Sequence, residues 1–244
     1  MTAVAKFTTV EAKLFLREPM TWAIAVVLPT VILLILGSVL GTGQPDDALG
    51  GQRFIDVFVP SLVVITLATL SVNTFTVRLA TYREKGVLRR LSTAPVAPAT
   101  VLVAQGIVNV AAAILAVVLL VIVGHVAFAV PLPRDPIGFV LAFGLGMSSL
   151  FAIALAIAAV VPTASAASAV GLPVFFAVMF LGGVYLPRFL LPEIIVQVGN
   201  LTPPGVQGLQ DAWLGAPLQI LPLVIMATIT VVAGAIAIRT FRWE

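Results

Sequence analysis

The sequence predicts an all-α integral membrane protein with six transmembrane helices. It adds an amphipathic interfacial helix at the N-terminus, a short cytoplasmic helix after the second span, and two short re-entrant outer helices before the last span. Three observations carry this. Of the 244 residues, 61% are hydrophobic and only 9% are charged, where a soluble domain carries about 25% charged residues. The apolar residues gather into six uncharged runs, each near the roughly 20 residues that cross a bilayer as a helix. The Lys and Arg residues are distributed unevenly between the intervening segments.

The runs are Met20 to Leu40, Val57 to Val77, Thr100 to Val123, Ile137 to Val161, Ser168 to Leu186, and Pro217 to Ile238. Together with residues 1–19 they make one membrane domain over 1–244. The fourth and fifth runs are separated only by the uncharged "PTASAA", Pro162 to Ala167. A continuous helix from Ile137 to Leu186 would be about 75 Å long at 1.5 Å per residue, more than twice the bilayer core. A tight turn at Pro162 is therefore expected. Pro29 and Pro173 predict kinks in the first and fifth spans. Gly144, Ser148, Ala152 and Ala156 form a small-residue ridge for close helix approach in the fourth, within the subunit or between subunits.

Six spans place the N-terminus and the C-terminus on one side. That side holds Lys6, Lys13, Arg17, Arg78, Arg83, Lys85, Arg89, Arg90, Arg239 and Arg242, whereas Arg53, Arg134 and Arg188 fall on the other. A bias of ten to three predicts that both termini are cytoplasmic. The polar, charged "MTAVAKFTTVEAKLFLREP" before the first run is unlike a cleaved signal peptide.

Residues 3–18 read as a helix with Phe7, Val10 and Leu14 on adjoining positions. Lys6, Lys13 and Arg17 form a neighbouring basic stripe, and Glu11 and Glu18 flank the other side. This pattern predicts a helix lying flat at the membrane interface, either as an anchor for the first span or as a partner surface. The stretch "VRLATYREKGVLRRLSTAPVAP", Val77 to Pro98, contains five of the thirteen Lys and Arg residues. Gly86 to Ser92 reads as a short helix with Leu88 and Leu91 on one face, stopped by Pro95 and Pro98. It could fix topology alone, dock a partner protein, or lie on anionic lipid.

Arg188 to Ala216 is too apolar for a solvated loop. Pro192 and Glu193 suit a helix start, Gly199 and Asn200 its stop, and Thr202 before Pro203 a second start. Two short helices dipping part-way into the membrane are expected. Tyr185 and Trp213 are expected at the outer interface, Trp22 and Trp243 at the inner one.

The chain has no Cys, and its single His, His125, cannot make a metal site alone. No paired carboxylates or Ser/His set point to catalysis. A G-x-x-x-x-G-K-[ST] loop is also absent, so the chain is not expected to be an enzyme or to bind nucleotide by that route.

Six spans, an amphipathic N-terminal helix, and "YREKGVLRRLSTAPVAPATVLVAQ" resemble the permease subunits of ABC-2 type exporters, in particular the daunorubicin-resistance-like branch. Glu84, Gly86, Leu88, Leu91, Ala94, Pro95 and Pro98 fill that family's charged E-x-G-x-L-x-x-L run and its two following prolines. "GGVYLP", Gly182 to Pro187, resembles the family's Gly-rich end to the fifth span. "NLTPPGVQGLQDAW", Asn200 to Trp213, resembles its re-entrant element, although Gly205, Val206 and Gln207 follow Pro204 and no Arg follows Leu209.

The resemblance implies the permease of an exporter in a bacterial plasma (inner) membrane. Its cargo would be a hydrophobic or amphipathic drug, antibiotic or lipid. Two copies of a separate ATPase subunit would bind ATP and Mg, this chain would hold no cofactor, and a second permease subunit would complete a dimer, with no nucleic acid among its partners. Tyr82, Arg83, Glu84, Lys85, Leu88, Arg89, Arg90 and Leu91 would then form the coupling element that receives the ATPase. Phe7, Leu14 and Arg17 would mark the interfacial helix. Phe58, Asn73, Phe75, Asn109 and Phe176 are candidates for the substrate path. A self-sufficient carrier is the rival reading, but such carriers place ionisable residues inside the membrane, and none of the six runs contains Asp, Glu, Lys or Arg. A non-transporting scaffold is a further reading. Nucleotide-stimulated transport with a co-expressed ATPase separates the three.

Overall fold

The structure, a computed structural model, describes residues 3–39, 41, 43–49, 51–87, 99–181, 184–185, 191–217 and 219–240. Within these, six helices are long and apolar enough to cross a membrane. Helix α1, Ala3–Arg17, precedes them. The spans are α2 (Pro19–Gly37), α3 (Phe54–Glu84), α4 (Ala99–Phe128), α5 (Pro136–Val160), α6 (Ala164–Leu181) and α9 (Ile220–Thr240). Helices α7 (Glu193–Asn200) and α8 (Val206–Leu214) lie between α6 and α9. A two-residue hairpin, Pro45–Asp46 with Gln52–Arg53, joins α2 to α3. The end of the bundle that carries α1 and the last turn of α9 is called the near end below, and the opposite one the far end.

Local chemistry sets the boundaries. Pro19 opens α2 from the first turn, where its missing N–H costs nothing. Asp135 caps α5 by accepting from the Gly138 N–H at 2.9 Å, with Pro136 in the first turn. The turn between α5 and α6 needs only Val161, Pro162 and Thr163, and the Thr163 hydroxyl accepts from the Ala166 N–H at 3.2 Å to start α6. Inside α2 the backbone widens to a π-helical stretch at Ala23–Val27, directly before Pro29. Pro29 cannot donate to the Ala25 carbonyl, and the wider turn accommodates the lost bond.

Helix α3 is the largest departure from the sequence expectation. The predicted span ended at Val77, but the helix continues to Glu84 and begins earlier, at Phe54. Hydropathy registers what lipid accepts, whereas a helix continues for as long as its residues favour it. Arg78, Leu79, Ala80, Tyr82, Arg83 and Glu84 all do so adequately. The stop is Gly86, in the left-handed conformation at φ +66°. Gly86 therefore terminates α3 and stands outside the predicted Gly86 to Ser92 helix; Val87 is helical, and the remainder from Leu88 lies outside the described residues. Helix α4 likewise runs five residues past its predicted end, to Phe128.

Helix α3 is also the centre of the molecule. It is buried along almost its whole length and packs against α2, α4, α5, α6 and α8. Helix α9 is peripheral and packs chiefly along α5. Helix α1 lies across α4. The predicted ridge on α5 is only partly used: Ser148 and Ala152 border a gap toward Thr230 and Gly234 of α9, and the close approach is made instead by Gly146, against the Pro204 backbone.

At the far end Arg53 bonds both carboxylate oxygens of Asp56, at 2.8 and 2.7 Å. It also donates to the carbonyls of Phe128 and Ala129, at 3.0 and 2.9 Å, so one side chain joins the start of α3 to the end of α4. The α4–α5 connection is stitched to α8 by the Arg134 and Asp135 N–H groups, which donate to the carbonyls of Trp213 and Ala212. Trp213 is not the interface anchor expected from sequence: it is 1% exposed and sits edge-to-face on Phe139. Helix α7 keeps both predicted ends. Helix α8 starts at Val206 rather than near Thr202, after Gly205 at φ +72°.

Candidate coupling site and cleft at the near end

The last turns of α3 present Arg78, Tyr82, Arg83 and Glu84, and between them these meet α1, the α1–α2 junction, the end of α5 and the start of α6. The Arg83 guanidinium donates to the carbonyls of Ala158, Ala159 and Val161, at 2.8, 3.2 and 2.9 Å. These are final carbonyls of α5, where the helix dipole is negative and backbone acceptors lack helical partners. The neighbouring Glu84 carboxylate accepts from the Ala164 N–H at 2.9 Å, at the positive N-terminus of α6. A cation and an anion adjacent in sequence thus grip the two ends of the α5–α6 turn, each complementing the dipole that it faces.

Tyr82 faces the other way and donates its hydroxyl to Glu11 Oε1 of α1 at 2.9 Å. Glu11 is 3% exposed, and burial pushes its carboxyl above the ordinary 4.5, with the Tyr82 bond and the Arg78 charge acting partly against that. The Gln105 amide of α4 lies beside both groups, outside hydrogen-bond geometry. Arg78 makes a 2.8 Å contact with Glu18 and stands over the Phe15 ring at 5.8 Å. Phe15 is itself buried in the core. Asn109, one turn beyond Gln105, donates to the Gln105 carbonyl at 2.8 Å.

The face of α1 that meets the bundle is a different one from the predicted interfacial stripe of Phe7, Val10 and Leu14. Phe7 is half-buried, Leu14 and Arg17 are exposed, and the face turned to the bundle carries Glu11 and Phe15. Sequence reasoning missed this pair because a Glu among Lys and Thr reads as solvent-facing. The i, i+4 spacing of Glu11 and Phe15 was the available signal.

Beside this cluster, between α1, α2 and the near half of α3, lies an open cleft of about 410 Å³. Leu14, Met20, Ile24 and Val77 give it apolar walls, while Glu18, Asn73, Arg78 and Lys85 give it polar ones. A π-helical stretch of α3 at Thr69–Phe75 forms part of the wall. There the Thr76 hydroxyl donates to the Ser71 carbonyl five residues back, at 3.3 Å, and Asn73 is exposed. The volume and mixed lining match a small amphipathic molecule.

Of the five candidate path residues, only Asn73 lines this cleft. Phe75 is buried edge-to-face on Phe151, and Asn109 is buried against α4's own backbone. Phe58 stacks on Phe54 in the far half of α3, and Phe176 is exposed near Tyr185 on α6. The structure does not bring the five together. Of the eight coupling residues, Tyr82, Arg83 and Glu84 are engaged within the chain and Lys85 is exposed. Leu88, Arg89, Arg90 and Leu91 lie outside the described residues, as does most of the "GGVYLP" motif. Among the described residues no group of three or more His, Asp or Glu side chains could hold a metal ion.

The family model described as ABC-2 type transporter matches residues 4–204, from α1 through α7 to the Pro203–Pro204 pair. The chain belongs to the ABC-2 type transporter family. No curated protein matches it. As an ABC-2 permease it is a multi-pass membrane protein and the transporter's membrane domain, not itself catalytic. The match covers the whole near-end cluster and ends just before α8, so α8 and α9 of the permease lie beyond it.

Proposed function

We propose that this permease is one subunit of an ATP-driven exporter, powered by separate ATPase subunits that bind ATP and Mg and dock at the near end. The near end is cytoplasmic in this reading, because it carries seven of the nine described Lys and Arg residues, all but Arg53 and Arg134. Two permease chains and two ATPases make the assembly. The cargo is a hydrophobic or amphipathic molecule that enters from the cytoplasm or inner leaflet by way of the cleft.

One observation supports this reading most strongly. Helix α3 runs unbroken from the far end, through the cleft wall, to Glu84, just before the stretch carrying Leu88 to Leu91. Over its last turns it is bonded to α1, α5 and α6. A displacement delivered to that stretch would reach the cleft and three further helices through one continuous helix.

Leu88→Ala with Leu91→Ala tests it. Truncating two small-interface anchors should leave insertion intact, weaken co-purification of the ATPase about tenfold and abolish ATP-driven transport. Arg89→Glu with Arg90→Glu should weaken docking with stronger salt dependence. Wild-type pull-down and transport by the double Leu variant would reduce the stretch to a topological anchor.

A further inference from the structure

A second concavity, on the other side of α1 from the polar cluster, has no part in the proposed coupling. It is a groove of about 460 Å³ formed by α1, α2 and α4. Ala12, Phe15 and Leu16 form its α1 wall, Trp22 and Val26 its α2 wall, and α4 supplies its floor from Val108 to Leu119. The lining is wholly apolar, apart from the indole N–H of Trp22. Val108 to Leu119 rises about 16 Å at 1.5 Å per residue. That is close to half of the roughly 30 Å hydrocarbon core, the depth of one leaflet.

The depth at which the groove starts can be argued independently. From Val108 to the end of α4 at Phe128 is about 30 Å at the same rise, one full hydrocarbon core. Ala12, Phe15 and Leu16 of α1 line the groove together with Val108 and Ala112 of α4, and Glu11 of α1 lies beside Gln105, so α1 packs at the near end of that length and the groove descends from it toward the midplane. Lys13 and Arg17 immediately follow the groove-lining Ala12 and Leu16, and Lys6 falls on the same stripe at 100° per residue. All three are exposed, on the flank of α1 away from Glu11 and Glu18. Among the described residues no salt bridge engages them. The groove is thus an apolar slot about one leaflet deep, and the exposed basic stripe of α1 lies about 100° round the helix from its Ala12 and Leu16 wall.

We propose that this groove binds an anionic phospholipid of the near leaflet, with one acyl chain along Val108 to Leu119 and the headgroup on Lys13 and Arg17. An apolar slot alone would accept any lipid. The stripe supplies the charge complementarity that selects an anionic one, since each Lys or Arg near an anionic headgroup favours it severalfold.

The test uses the full chain, purified in detergent and exchanged with equal amounts of phosphatidylglycerol and phosphatidylcholine of matched acyl chains. Retained lipid and oligomeric state are read together by native mass spectrometry. Wild type should retain phosphatidylglycerol preferentially. Lys13→Gln with Arg17→Gln, both at exposed positions, should lower that preference about thirtyfold and leave phosphatidylcholine retention unchanged. Ala111→Phe, which fills the slot from an exposed position on α4, should reduce retention of both lipids. Equal retention of the two lipids by wild type, or an unchanged preference in the double variant, overturns the proposal. Unchanged lipid retention by Ala111→Phe, or dissociation of an oligomer in place of lipid loss, shows that the groove holds something else and overturns it too.

Discussion

Glu11 shows how little a residue's type says about its position until its partners are known. Its carboxyl is buried under α1, bonded to Tyr82 and close to Arg78 and Gln105. Burial raises its pKa on folding, so the folded form holds the proton at pH values where the unfolded chain has lost it. Its contribution is complete below the ordinary 4.5 and is lost as pH rises through the elevated folded value. Hydrogen exchange of the α1 amides, corrected for intrinsic rates, should therefore accelerate as pH rises through that window. In Glu11→Gln it should show no such step. A step that persists in Glu11→Gln would assign the effect to another group. Charge alone did not separate Glu11 from Glu18, because both flank the same helix; only the i, i+4 spacing of Glu11 to Phe15 hinted at the one that tertiary packing buries. Arg83 and Glu84 were equally opaque. A charge that bonds a helix terminus and a charge that faces solvent look alike when only Lys and Arg are counted.

Elements were more legible than residues. All six spans were readable because twenty uncharged apolar residues have few uses other than crossing lipid. Both ends of α7 were readable from Pro192, Glu193, Gly199 and Asn200. The ends of α3 were not, because the helix outlasts the apolar run. The close approaches on α5 were missed as well: the ridge from Gly144 identified small residues, but which of them meets a neighbour depends on where α8 is held. That difference is measurable. A Cβ at Gly146 would collide with the Pro204 carbonyl, which is backbone and cannot rotate away, whereas a Cβ at Gly144 would meet nothing within 4 Å. Gly146→Ala should destabilise by about 1–3 kcal/mol through overpacking. Gly144→Ala should be neutral or stabilising by up to about 1 kcal/mol, because Gly weakens a helix interior. Thermal unfolding in one detergent orders the two against wild type, and equal midpoints would show that the Pro204 contact is not tight.

At the scale of the whole molecule, sequence predicts the number of crossings and their sense but not which helices touch. That α3 is central and α9 peripheral follows from packing, since the uncharged apolar runs of the two helices do not tell them apart. The sense is open to direct test because the chain has no Cys. An impermeant maleimide should label a Cys at Asp47 in intact cells and should label a Cys at Lys85 only after permeabilisation. Labelling at position 85 in intact cells would invert the bundle and remove the proposed ATPase face from the cytoplasm.

The grip of Arg83 and Glu84 on the α5–α6 turn bears on how force would travel. Helix α3 has 31 residues and so is a rod about 46 Å long. Its near tip is fastened to the corner where two other rods meet, and its far tip is tied through Arg53 and Asp56 to the end of α4. A rod held at both tips cannot tilt alone. A swing of about 5° would carry one tip about 4 Å relative to the other, and the corner would have to travel with it. Bending is easiest where the backbone is already wide, at Thr69–Phe75 beside the cleft. Leverage applied at the near tip would therefore appear first as a change in the shape of the cleft wall, before the far tip moves.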